Sequence, residues 1–149
     1  MQNSIATLLD DSAHQKCLLL VHPEIGTLEK TAAELESAYD WPRLSVGREL
    51  AAALLSEPPS HRPRLAQRWM EDRLSQMAPG PVLCTEIDLL FHPDLKLDPL
   101  MLLRHASRVT RIVATWPGSY VDDVLSYAVP EHAHYRVFRQ PEALILALE

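Results

Sequence analysis

The stretch Lys16–Tyr39, KCLLLVHPEIGTLEKTAAELESAY, decides how the chain is read. Cys17 to Val21 is an unbroken apolar run, the pattern of a parallel strand covered on both faces. A break carrying Pro23 and Gly26 follows. Leu28, Ala32, Leu35 and Tyr39 then recur at the spacing of one helix face. The order predicts strand Lys16–Val21, loop His22–Gly26 and helix Thr27–Tyr39. Strand, loop and a helix whose first turn holds Lys30-Thr31 have the layout of a phosphate-binding loop.

The full motif, G-x-x-x-x-G-K-[ST], puts Glu24 and Glu29 where its glycines belong, and Gly26 is out of place. Glycine serves there by positive φ or close backbone approach, so that amides converge on phosphate. Glutamate does neither well, and a carboxylate ~5 Å from a phosphate oxygen costs about 3 kcal/mol at an effective dielectric of ~20. The bland reading of Lys30-Thr31 is a solvated first helical turn. The partner motif is an apolar strand ending in an aspartate for Mg²⁺, often followed by a glutamate. Val82–Cys84 is such a strand, but Thr85 stands at the aspartate position and Glu86 at the glutamate position, with Asp88 two residues on. Glu24, Gly26, Glu29, Lys30, Thr31 and Thr85 therefore form a degenerate candidate nucleotide site, and Glu86 is the candidate catalytic carboxylate. The sequence points to an NTPase-like fold more firmly than to NTPase activity.

Elsewhere the chain alternates short apolar runs with helical segments. The expected elements are a short helix within residues 1–15, strand Arg43–Val46, helices 48–56 and 61–77, and strand Val82–Thr85 beside the first strand. A helix follows from Asp98-Pro99 to about Ser107, where aspartate caps and proline opens the first turn. Strand Arg111–Thr115 is expected to stop at the turn Trp116-Pro117-Gly118, with a loop or short helix over Ser119–Val129. His134–Phe138 reads as a last strand and Pro141–Leu148 as a closing helix. This predicts one α/β domain over residues 1–149, with about five mostly parallel strands. Ligands in such sheets sit at the carboxyl ends of the strands.

Fourteen basic against twenty acidic residues leave a net charge of −6, so no overall field favours nucleic acid or anionic membrane. The two cysteines, Cys17 and Cys84, fall inside core strands and read as buried reduced thiols. The opening MQNSIATLLDD lacks the basic and apolar regions of a signal peptide, and no apolar run approaches the ~20 residues that span a bilayer. A cytoplasmic protein without a membrane segment is the expectation.

From Val82 onward the chain reads VLCTEIDLLFHPDLKLDPLMLLRHASRVTRIVATWPGSYVDDVLSYAVPEHAHYRVF. In its collinear pieces Ile87–Phe91, Asp98–Leu100, Ser107-Arg108, Ala114–Gly118, Leu125–Ala128, Pro130–His132 and Tyr135-Arg136, it resembles the BrxF family of small P-loop proteins of bacteriophage exclusion (BREX) defence systems. The resemblance spans about 60 residues, and residues 16–56 are consistent with the family's phosphate-loop strand, helix and second strand. It implies a compact three-layer fold related to the additional-strand (ASCE/AAA-type) P-loop ATPases, and a place in antiphage defence. The departures at both loop glycines and at Thr85 leave ATP hydrolysis open. No cofactor is then expected, with ATP and magnesium as the alternative.

Helix 61–77 carries Arg73 near the middle of a broad apolar face formed by Leu65, Ala66, Trp69, Met70, Leu74 and Met77. Arg73 either lies at the core edge with its head in water or pairs with a buried carboxylate or a partner subunit. Arg64 and Arg68 face the other way with Glu71, as a solvated face or, with Arg62, a DNA contact. Arg108 is either a helix C-terminal cation or, where the resembled fold carries a sensor or trans-acting arginine, a contact to a neighbouring subunit. His132 and His134 lack a third ligand, so no metal site is expected. The function expected is that of an oligomerising or partner-binding subunit with degenerate Walker-type motifs, alongside other proteins of such a system. The alternatives are an active ATPase using Lys30, Thr31 and Glu86, and a DNA-binding accessory.

Overall fold

A computed structural model describes residues 17–149. The short helix expected within residues 1–15, and Lys16, lie outside the described residues. The chain begins with β1 (Cys17–His22), α1 (Ile25–Tyr39), β2 (Arg43–Ser45), α2 (Val46–Leu54), α3 (Arg62–Gln76) and β3 (Val82–Thr85). Short 3₁₀ segments at Ile87–Phe91 and Pro93–Leu95 lead into α4 (Pro99–Ala106). Then come β4 (Ile112–Val121), β5 (Val124–Tyr127), β6 (Arg136–Arg139) and β7 (Leu144–Ala147).

Five strands form a parallel sheet in the order β2-β3-β4-β1-β7, and β5 and β6 extend the far end of β4 as an antiparallel hairpin. Successive side chains of a strand point to opposite faces. Leu18 and Leu20 accordingly join Ala32 and Leu35 of α1 under one face, with Leu83 and Val113. Cys17, Leu19 and Val21 face a larger core with Leu50 of α2, Met70 and Leu74 of α3 and Leu103 of α4. Helices thus cover both faces, which is why β1 reads as a continuous apolar run.

Several expectations are corrected. β3 shares the sheet with β1 but does not adjoin it, because β4 pairs with both. Strand β4 does not stop at Trp116-Pro117-Gly118 but runs through it to Val121. Proline is tolerated because parallel pairing with β1 ends at His22↔Pro117, and there the Pro117 carbonyl accepts from the Ala128 amide at 2.8 Å. Gly118 is needed for approach rather than for a turn: a Cβ there would lie 1.8 Å from the Ser126 carbonyl oxygen. Ser119–Val129 is a hairpin arm, turned at Asp122 and Asp123, both at positive φ (52° and 61°).

The Pro141–Leu148 helix is instead strand β7, with Leu144, Ile145 and Leu146 opposite Leu18, Leu19 and Leu20. His134–Phe138 shifts to Arg136–Arg139, and the strands number seven among the described residues rather than about five. Helix α1 begins two residues before Thr27, and Val46 leaves β2 to open α2. Helix 61–77 is Arg62–Gln76. The cap at Asp98 is as expected, its Oδ1 accepting from the Met101 amide at 3.0 Å.

Candidate functional site at the carboxyl edge of the sheet

The carboxyl ends of β1 and β3 bring Glu24, Thr85 and Glu86 to one edge. The link from β1 to α1 is only Pro23-Glu24, because Ile25 is already helical. Glu24 is the N-cap residue: its amide donates to His22 Nδ1 at 3.0 Å and its carbonyl accepts from the Leu28 amide at 3.3 Å. Gly26, expected in the loop, is therefore inside α1, as are Glu29, Lys30 and Thr31, expected in the helix. A two-residue link gives no arc of amides that could wrap a phosphate. Gly26 is open to solvent, with nothing within 4 Å of where a Cβ would stand.

Helical periodicity then separates the motif residues. Thr31 faces the core and is buried, whereas Lys30 is exposed beside Ala33, Glu34 and Ser37 on the outer side of α1. Glu29 lies on a third face and pairs with Arg43 at the start of β2. The same guanidinium donates to Glu36 Oε1 at 2.8 Å, and its Nε donates to Thr85 Oγ1 at 3.2 Å. Arg43 is thus a clamp joining α1, two turns of it apart, to the end of β3. Its hydrogen bond to Glu29 is the main reason that its proton is held still more firmly than in free arginine, against the opposing effect of burial. Thr85, buried and engaged by Arg43, stands at the position read as the metal-aspartate site.

Glu86 is exposed and left-handed (φ 55°, ψ 46°), a conformation uncommon for a residue other than glycine. Gly47 accommodates it: a Cβ at Gly47 would meet the Glu86 carbonyl oxygen at 3.0 Å. Asp88 is engaged within the chain: its Oδ2 accepts from the Tyr127 hydroxyl at 3.0 Å. Burial, together with the Asp88 charge and this hydrogen bond, raises the Tyr127 phenol above its ordinary value.

The expected interface arginines differ from one another. Arg73 pairs with Glu49 of α2 at 3.4 Å, each side chain about one-third exposed, so it has a mate inside the chain. Arg108 is exposed just beyond α4 beside Glu71, Ser75 and His105. It precedes the start of β4, so it lies at the amino edge of the sheet, the end away from Glu24 and Glu86. His134 stacks edge-on with both His132 and His92, ring centroids 5.4 and 5.1 Å apart. Nδ1 of His92 and of His132 each accepts a backbone amide, and no group of three or more potential metal ligands is arranged around an ion among the described residues.

Arg43 is the residue that sequence reasoning missed. The available signal was Glu29 and Glu36 seven apart on one helix face, with an arginine just after the helix-ending Trp41-Pro42. No helix among the described residues is long and apolar enough to cross a membrane. No family model, no curated protein and no solved structure matches the chain.

Proposed function

We propose that this chain is a BrxF-like component of a phage-defence system, with a P-loop-like framework whose nucleotide site is degenerate, acting as an oligomerising or partner-binding subunit. The observation that carries the reading is the Arg43 clamp. Of the residues read as the phosphate site, Glu29 and Thr85 are held by Arg43, Thr31 is buried in the core and Lys30 is exposed on the outer side of α1. The interposed strand β4, between the phosphate-loop strand and the acidic strand, supports kinship with the additional-strand class. The place in defence rests on the sequence resemblance. ATP and magnesium do not fit the carboxyl edge: Lys30 points away from it and Thr85 is taken by Arg43.

Arg108, exposed and at the opposite edge from Glu24 and Glu86, could reach those carboxylates only on a neighbouring copy. Such a contact would suit bidentate pairing. Analytical ultracentrifugation across protein and salt concentration tests the reading. The expected result is association, or a complex with another protein of the defence system, that salt and Arg108→Ala both weaken. A monomer at about 100 μM, well above a micromolar dissociation constant, that also binds no protein of the system overturns it.

A further inference from the structure

We infer that the groove between the C-terminal end of α2 and the 3₁₀ segments after β3, continued by the cationic side of α3, binds an acidic amphipathic segment of a partner protein. The inference rests on the partner-binding reading above and gives it a surface and a chemistry. The groove, about 560 Å³, is lined by Leu54, Leu55, Leu89, Pro59, Pro93 and Leu95. Leu55 is 81% exposed, the most exposed large hydrophobic side chain among the described residues. An open apolar groove of this kind receives the apolar face of a peptide.

A second depression, about 420 Å³, shares Leu95 and Lys96 with the first and is walled by Arg64 and Arg68. Arg64 and Arg68 are i, i+4 on α3, so their charges sit side by side and repel. The ion pairs recorded among the described residues engage Arg43, Arg73 and Arg104 with Glu29, Glu36, Glu49 and Glu142, with His92 and Asp94 3.8 Å apart in the groove, and none reaches Arg64, Arg68 or Lys96. Glu71, the one carboxylate in the depression, accepts from Gln67 at 3.3 Å instead. Three exposed cations without carboxylate mates, on a chain of net charge −6, are matched by carboxylates from outside. The platform is held in place: Lys96 closes the Pro93–Leu95 turn with its amide on the Pro93 carbonyl at 3.1 Å, and Arg62 Nε donates to the Glu57 carbonyl at 3.0 Å.

The apolar half distinguishes the occupant. A nucleic-acid backbone matches Arg64, Arg68 and Lys96 but offers nothing to bury against the exposed Leu55, Pro59 and Pro93 and the part-exposed Leu89. An amphipathic helix with carboxylates flanking leucines satisfies both halves at once.

Fluorescence anisotropy on the full chain tests this with a labelled peptide of about twelve residues, three helical turns, bearing leucines at helical spacing with glutamates between. Micromolar binding is expected. Arg64→Glu with Arg68→Glu, and separately Leu55→Asp, should each weaken it by about tenfold or more. All three side chains are exposed, and circular dichroism of the variants checks that the fold is kept. Peptides with glutamine for glutamate, or serine for leucine, should lose binding to the unaltered protein, a control independent of variant folding. No binding of the acidic peptide, equal binding by the charge-reversed protein, or equal binding of the serine peptide overturns the inference. So does tighter binding of a duplex DNA of about twenty base pairs, which assigns the patch to nucleic acid. Failure here with association still sensitive to Arg108→Ala removes the groove and leaves the partner-binding reading intact.

Discussion

Arg43 joins three elements through one guanidinium, and its side chain is 19% exposed against 56% for Glu29 and 37% for Glu36. Removing the arginine leaves the buried Thr85 hydroxyl and two carboxylates without their donor. Arg43→Met should therefore cost about 1–3 kcal/mol in urea unfolding, whereas Glu29→Gln, at the exposed end, should cost less than about 1 kcal/mol. A neutral Arg43→Met would show that the clamp is incidental. The two thiols give a pH test. Burial pushes Cys17 up to about 12 from an ordinary 9.0, and raises Cys84 as well. Each is a neutral thiol in the fold and ionises more easily when unfolded. Their contribution is thus fully present below about pH 9 and is lost as pH rises toward about 12. At pH ~8 a thiol reagent should leave both cysteines unmodified until denaturant is added; rapid labelling of the native protein would contradict their place in β1 and β3.

At the scale of elements, local signals served well where they were physically self-contained. The proline-opened, aspartate-capped α4 and the strand β3 were legible because cap, breaker and apolar run adjoin in sequence. β7 was not, because Ala143–Glu149 is rich in good helix formers and apolar at nearly every position, so a period of two cannot be told from 3.6. Its pairing with β1 decides the matter: Leu144, Leu146 and Leu148 pack under the α1 face while Ala143 and Ile145 join the other core. The hairpin was hidden by Trp116-Pro117-Gly118, a turn signal that close packing turned into strand. Gly118→Ala should accordingly separate β4 from β5 and cost about 3 kcal/mol or more, read by thermal unfolding together with loss of the near-ultraviolet signal of Trp116, whose Nε1 donates to the Ser126 carbonyl at 3.0 Å. An unchanged melting temperature would be inconsistent with that approach.

Over the whole molecule, the alternation of strand and helix made an α/β chain with a mostly parallel sheet readable in advance. The site was less readable, since the motif is matched to a phosphate loop by position along the sequence and not by the helix faces its residues occupy. Starting α1 at Ile25 scatters its residues over different helix faces, and only the placement of β2 reveals that Arg43 collects Glu29, Glu36 and Thr85. Two features then stand at opposite edges of the sheet: Thr85 engaged by Arg43 at the carboxyl edge and an exposed Arg108 at the amino edge. On the proposed reading, Arg43 occupies Thr85 and Glu29 and leaves nucleotide without a site. Calorimetric titration of Mg²⁺·ATP into the full chain tests it most directly, with Lys30→Ala in parallel. No saturable heat is expected up to a ligand concentration of about 1 mM, which corresponds to less than about 4 kcal/mol of binding, and no difference between the two proteins. Micromolar binding that Lys30→Ala abolishes would contradict it and would make the chain a working nucleotide-binding protein.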